Sequence, residues 1–255
     1  MSELVRSRIA DGVCEITLSR PERRNALAGE MADQLRDAVL RAPEQARAIV
    51  LTGAGTAFCA GADLKERAQL SGTESRAHNR RLFETIQTVA TCPVPVVAAV
   101  NGPAYGGGFE LALAADLRIA DPSAVFALSE VKLGIIPGSG GTQRLFRVVG
   151  EGWARALLLS GRSITAEQAR AIGVVQDIAA SGACLELAWS WAREIAENAP
   201  LSVRALKEMF IARESQLHEG LILERETIFR LFLTEDRNEG LRAFAERRKP
   251  DYQGH

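Results

Sequence analysis

The sequence predicts an α/β protein, a sheet whose strands end in glycine-bearing turns, followed by a helical C-terminal third. Three observations carry this. Short apolar runs at Ala48–Leu51, Val94–Val100, Leu117–Ala120 and Val125–Leu128 alternate with helical patterns. Tight turns rich in glycine follow several of the strands, the arrangement that puts ligands outside the carboxyl ends of an α/β sheet. From residue 142 onward the spacing is helical almost throughout, over 142–149, 153–159, 166–171, 183–197, 201–213, 217–233 and 237–247.

In chain order, Val5–Ile9 and Val13–Leu18 flank Ala10-Asp11-Gly12, a hairpin signal. A polar loop, Arg20 to Leu27, leads to a helix in which Met31, Leu35, Ala38 and Val39 keep amphipathic spacing to about residue 41. The strand at Ala48–Leu51 ends in Thr52-Gly53-Ala54-Gly55, and a second small-residue loop, Ala57 to Lys65, enters another helix. Residues 66–80, rich in Arg, Glu, Ser and Gly, read as a mobile surface segment before a helix from about Arg81 to Ala90. Later, Thr165 with Gln168 fits a capping box, and Asn198-Ala199-Pro200 separates two helices.

At 255 residues the chain suffices for one large domain, or a domain with an appendage. Its 47% hydrophobic and 25% charged residues are ordinary for a globular protein. A net charge of −1 supplies no basic field to recruit nucleic acid or an anionic membrane. The N-terminal MSELVRSRIADG has charges where a signal peptide needs an apolar core, and no apolar run reaches membrane-spanning length, so a cytoplasmic protein is expected. Cys14, Cys59, Cys92 and Cys184 lack zinc or dithiol spacing and read as buried thiols. His78, His218 and His255 are scattered in polar contexts that read as exposed, so neither a metal site nor a Ser-His-Asp triad is expected.

Chemistry concentrates in two stretches. Asn101 to Asp116, NGPAYGGGFELALAAD, drops from a glycine turn into an apolar helix containing one carboxylate, Glu110. Gly106, Gly107 and Gly108 allow a ligand close to the main chain, and the unpaired N–H groups of the first helical turn favour negative charge in front of them. The same pattern also serves plain close packing, with Glu110 complementing the helix dipole. The spacing is neither a phosphate loop nor G-x-G-x-x-G. The second stretch, Ser129 to Thr142, sets Glu130 among apolar neighbours ahead of another glycine-rich turn. Ser139 lacks the G-x-S-x-G frame and reads as a turn former, and Cys59 reads as a buried thiol rather than a nucleophile.

Four segments together resemble the crotonase superfamily, the enoyl-CoA hydratase/isomerase family: RPERRNAL at 20–27, GTAFCAGADLKE at 55–66, PVVAAVNGPAYGGGFELALAAD at 95–116 and FALSEVKLGIIPGSGGTQRLFRVVG at 126–150. EGLRAFAERRKPDY near the end is similar to the family's closing helix. The resemblance implies a crotonase-like spiral of ββα units with two roughly perpendicular sheets over residues 1–195. It also implies a helical region at 196–255 that serves oligomerisation into a homotrimer or a dimer of trimers.

It further implies an oxyanion hole from the N–H groups of Ala62 and Gly107, with Glu110 deprotonating water, Glu130 supplying the Cα proton and backbone near Gly138 helping to hold the water. Coenzyme A would lie along Arg23, Arg24 and the loop of Ala62, Asp63, Leu64 and Lys65, beside Gly107, with Arg247, Arg248 and Lys249 reaching its nucleotide across a subunit boundary. Acyl-CoA is then the substrate, and no separate cofactor is implied. Two departures bear on the acyl group. Ala127-Leu128-Ser129 stands where many family hydratases have Gly-x-Pro, and Phe109 stands where a smaller residue is common, so its bulk is expected to bear on packing or on the acyl pocket. The expected activity is enoyl-CoA hydration, the alternatives being double-bond isomerisation or a non-catalytic acyl-CoA or RNA scaffold.

Overall fold

A computed structural model of the chain describes residues 3–213, 217–248 and 250–251. Among these residues the main sheet has six strands in the order β1-β2-β3-β4-β6-β9: Val5–Ala10, Val13–Leu18, Ala48–Gly53, Val96–Val100, Leu117–Ala120 and Asp177–Ile178. β1 and β2 form the antiparallel hairpin expected around Asp11-Gly12, and the remaining pairs are parallel. A smaller sheet joins β5 (Ala104–Tyr105), β7 (Val125–Ala127) and β8 (Ile164–Thr165).

β3 and β4 are buried along their whole length, which explains their continuous apolar runs: parallel strands covered on both faces have no solvent side to mark by alternation. Ile49, Leu51, Val96 and Ala98 face a core shared with helices α1 (Gly29–Arg41), α3 (Gly72–Ala90) and α4 (Gly107–Ala114). Ala48, Val50, Val97 and Ala99 face the opposite way, against Ala188, Trp189 and Ala192 of α7 (Cys184–Glu197). All four cysteines are buried and free.

The C-terminal third is helical as expected: α5 (Gly141–Ser160), α6 (Ala166–Ala171), α7, α8 (Pro200–Arg213), α9 (Leu217–Leu231) and α10 (Glu235–Glu246). The break expected after residue 149 is a kink at Gly150 (φ 74°, ψ 170°) within α5. Thr165 and Gln168 form the expected capping box. No helix among the described residues is long and apolar enough to cross a membrane.

One segment differs from the sequence reading. Residues 66–80 are not a mobile loop: a short helix, α2 (Leu64–Arg67), precedes α3, which begins at Gly72 rather than near Arg81. Ser71 caps it, accepting from Glu74 N while the Glu74 carboxylate accepts from Ser71 N, a reciprocal box that offsets the polar composition. Ser75, His78, Asn79, Leu82, Ile86 and Val89 then recur at helical spacing on the buried face. His78 is therefore buried rather than exposed. His255, Lys249 and the side chain of His218 lie outside the described residues.

Candidate active site

Three loops meet at the carboxyl ends of β2, β3 and β4, and two asparagines stitch them together. Asn25, fully buried, donates through Nδ2 to the carbonyls of Ala54 (2.9 Å) and Ala57 (2.8 Å) and accepts from Arg20 N (2.9 Å). Asn101 donates to Gly53 O (2.8 Å) and accepts from Gly53 N (3.2 Å). Backbone pairing finishes the alignment, with Leu27 N donating to Gly61 O, Asp63 N to Leu27 O, and Tyr105 N to Cys59 O.

These ties bring the N–H groups of Ala62 and Gly107 together. A Cβ built on Gly107 would stand 3.6 Å from Ala62 N. Neither N–H donates to another group of the protein among the described residues. For Gly107 this follows from its place at the start of α4, where an amide has no intrahelical acceptor. Two glycines here are sterically required. Gly106 has φ 50°, and a side chain on it would press on Glu130 Oε1; one on Gly108 would collide with the carbonyl oxygen of Cys59.

Glu110 and Glu130 line one cavity of about 410 Å³ with Ala62, Gly107 and Gly138. Glu110, in the first turn of α4, is 3% exposed. Its Oε1 accepts from Ser139 N (2.7 Å) and Gly141 N (2.9 Å), so Ser139 serves as a turn residue whose amide holds the carboxylate at the N-terminus of α5. Burial pushes the Glu110 carboxyl above its ordinary range. The two amides, Arg144 and Arg67 pull it only partly back. Glu130 opens a 3₁₀ turn, Glu130–Leu133, and is half-buried beside Gly106. Two carboxyls in unlike settings facing undonated N–H groups suit the stabilisation of an anionic oxygen and the movement of protons.

The other predicted residues separate. Leu64 lines the cavity. Asp63 is committed to structure, since its carboxylate caps α2 by accepting from Lys65 N and Glu66 N and pairs with Arg20 Nη1 at 2.7 Å. Burial raises its pKa, but Arg20 and the two amides outweigh that and hold it below the usual range. Arg23, Arg24 and Lys65 are exposed, and the Arg24 carbonyl accepts from Ala60 N (3.0 Å), which fixes that loop beside Ala62. Arg247 is exposed just beyond α10 and does not line the cavity. Its neighbour Arg248 does, paired with Glu239 (2.5 Å) and Glu246 (2.6 Å). Phe109 is core, stacked on Phe126 at 5.2 Å with the rings tilted 56°, and does not shape the pocket.

Sequence reasoning missed one wall: Arg67 from α2 with His78, Asn79 and Leu82 from α3. The available signal was the Ser71-x-x-Glu74 spacing. Burial lowers the His78 pKa, with Glu66 working against it. Ile228, Ala243 and Phe244 close the cavity from α9 and α10, so the cavity draws on both the 1–195 and the 196–255 segments.

The chain is similar to known proteins over nearly its whole length. The model of the enoyl-CoA hydratase/isomerase family matches residues 8–255. The 2,3-dehydroadipyl-CoA hydratase of Escherichia coli is 42% identical over 260 residues, covering 100% of both chains. The enoyl-CoA isomerase/hydratase fer4 of Mycosarcoma maydis is 38% identical over 255 residues, covering 95% of this chain and 93% of its own. The crystal structure of carnitinyl-CoA hydratase from Mycobacterium avium superposes with a TM-score of 0.89 at 37% identity over 100% of both chains. The fold is that of these hydratases, and the chain belongs to the enoyl-CoA hydratase/isomerase family.

Proposed function

We propose that the protein is an enoyl-CoA hydratase, adding water across the α,β double bond of an enoyl-CoA thioester to give a 3-hydroxyacyl-CoA. The observation that carries this reading is the presence of two carboxyls, Glu110 and Glu130, in the cavity onto which the Ala62 and Gly107 amides open. Addition at Cβ moves negative charge onto the thioester oxygen, and two fixed N–H donors stabilise that oxyanion in the transition state, each worth about 3 kcal/mol by analogy with other such holes. Glu110, whose raised pKa makes it a stronger base than an ordinary carboxylate, takes a proton from water. The resulting hydroxide adds to Cβ, the double-bond electrons move to the Cα–C–O unit, and Glu130 returns a proton to Cα as the carbonyl reforms. Amides near Gly138 steady the water. Coenzyme A runs along the Arg23–Arg24 and Ala62–Lys65 loops, where the guanidinium groups suit its phosphates. The exposed Leu201, Leu206, Met209 and Phe210 of α8 support assembly into a homotrimer or a dimer of trimers.

Purified protein is expected to bleach the conjugated absorbance of crotonyl-CoA or of a branched or cyclic enoyl-CoA ester. No turnover of any of them, with coenzyme A binding intact, overturns the reading. Isomerisation is the second reading, favoured by the similarity to fer4, which is named for both activities. It needs only one carboxylate and no bound water, and its product is a shifted alkene rather than a hydroxyacyl ester.

A further inference from the structure

The wall contributed by α2 and α3 carries charge that takes no direct part in the proton transfers of hydration. Arg67 ends α2 and lines the cavity, and Arg237 sits in the first turn of α10 behind it. Both guanidinium groups lie on one ring, Arg67 Cζ 4.9 Å and Arg237 Cζ 5.8 Å from the centroid of Phe232, itself buried. In each the Nη2 group is enclosed and has no hydrogen-bond partner among the described residues. Arg237 donates through Nη1 to Asn238 Oδ1 (3.2 Å). Two like charges thus meet in an apolar setting. Burial pushes the Arg67 pKa down to about 10, Arg237 adds to that, and Glu130 and Glu110 oppose it, so Arg67 stays cationic near neutrality; burial lowers the Arg237 pKa as well, in a side chain that proteins do not deprotonate.

An unmade bond on a buried cation costs more than one on a neutral group, and a folded protein rarely leaves two side by side. Of the nearby acids, Asp63 holds Arg20, Glu110 Oε1 takes the amides of Ser139 and Gly141, and Glu130 and Glu110 act on Arg67 through charge alone. The same wall holds Asn79 Oδ1, without a hydrogen-bond partner among the described residues, and His78, whose Nε2 pairs with Glu66 Oε2 at 3.5 Å. This is an unusual lining for a straight hydrocarbon acyl chain, whose methyl end would leave Arg67 and Asn79 unmet.

We propose that the acyl group of the substrate ends in a carboxylate, that Arg67 receives it, and that Arg237 supplies the second positive charge behind it. The proposal rests on the enoyl-CoA reading above and narrows its substrate class to mono-thioesters of unsaturated dicarboxylic acids. The competing role for the pair is to act as counterions for Glu110 and Glu130, which would affect charged and uncharged substrates alike.

The test compares glutaconyl-CoA with its terminal methyl ester, one methyl group longer and uncharged. A parallel pair, glutaryl-CoA and its methyl ester, is titrated for binding without chemistry. Wild-type kcat/KM is expected to favour the acid over the ester by about tenfold to a hundredfold, the range of a hydrogen bond to a charged group, and the dissociation constants should follow. Arg67→Met should collapse that ratio towards one in both measurements, whatever common change the rates take, and Arg67→Lys should restore part of it. Thermal melts of both variants establish that they are folded. Turnover of crotonyl-CoA with an acid-to-ester ratio near one in the wild type, or a ratio unmoved by Arg67→Met, overturns the carboxylate assignment and leaves the hydratase reading standing. Hydration of none of the esters overturns that reading, while the binding ratio still decides for or against the carboxylate.

Discussion

Glu110 works under opposed forces. Removed from water, its charged form is penalised, while the Ser139 and Gly141 amides, Arg144 and Arg67 favour it, and burial wins. Because its folded pKa lies above the ordinary value, the ionised carboxylate costs stability: that penalty is absent below the unfolded pKa of about 4.3 and grows as pH rises through the folded pKa. Glu110→Gln, which keeps an oxygen for both amides, should therefore melt above wild type at pH 8, with the difference vanishing near pH 4. The same variant and Glu130→Gln should each lower kcat by at least about a hundredfold while the acyl-CoA dissociation constant hardly moves. The double variant should lose less than the product of the single losses. Parallel melts, titrations and rates check these outcomes. A well-folded Gln variant with near wild-type hydration would remove that glutamate from the acid–base pair. Both glutamates were legible in the sequence because a lone carboxylate in an apolar stretch beside a glycine turn is costly without a task. Arg67 and His78 were not, because charged and polar residues in a polar stretch look like surface until the cap at Ser71 reveals the helix.

At the scale of elements, the site depends on how closely α4 approaches the Cys59 loop. Gly108→Ala would drive a methyl group into the Cys59 carbonyl and force α4 away, spoiling the alignment of the Ala62 and Gly107 amides. The expected loss in kcat is about 10²–10³, as for removal of an oxyanion donor. Retention of wild-type kcat in a folded Gly108→Ala protein would show that the close approach does not set the site. The capping box of α3 offers a contrasting case on the same wall. Ser71→Ala should lower Tm by about 2–4 °C through the lost cap, read by calorimetry, with a smaller effect on rate. The hairpin, the buried strands and the helical third were legible from apolar periodicity. The stitching by Asn25 and Asn101 was not, since an asparagine in a loop carries no mark of which distant carbonyls it meets.

Across the whole molecule, the C-terminal helices do more than cover the sheet. α9 and α10 close the cavity, and α8 is anchored by Lys207, 3% exposed, whose Nζ donates to both oxygens of Asp116 at 2.7 and 2.8 Å. Asp116 also accepts from Val96 N at the start of β4, so this one pair ties α8 to the strand that feeds the glycine turn. Lys207→Met should cost about 2 kcal/mol in urea unfolding, less than a fully buried broken pair because Asp116 keeps the Val96 amide and partial contact with water. An unchanged midpoint would show that α8 is held by packing alone.

If the cavity delivers water to Cβ of an enoyl thioester, the oxygen of that water must end in the product. Crotonyl-CoA turned over in water enriched in the heavy oxygen isotope, with the product read by mass spectrometry, should give a 3-hydroxyacyl ester carrying the label in its new hydroxyl. Glu110→Gln should suppress the labelled product. An unlabelled product with the mass of the starting ester and a shifted double bond, or crotonyl-CoA and glutaconyl-CoA both recovered unchanged, would contradict hydration at this site.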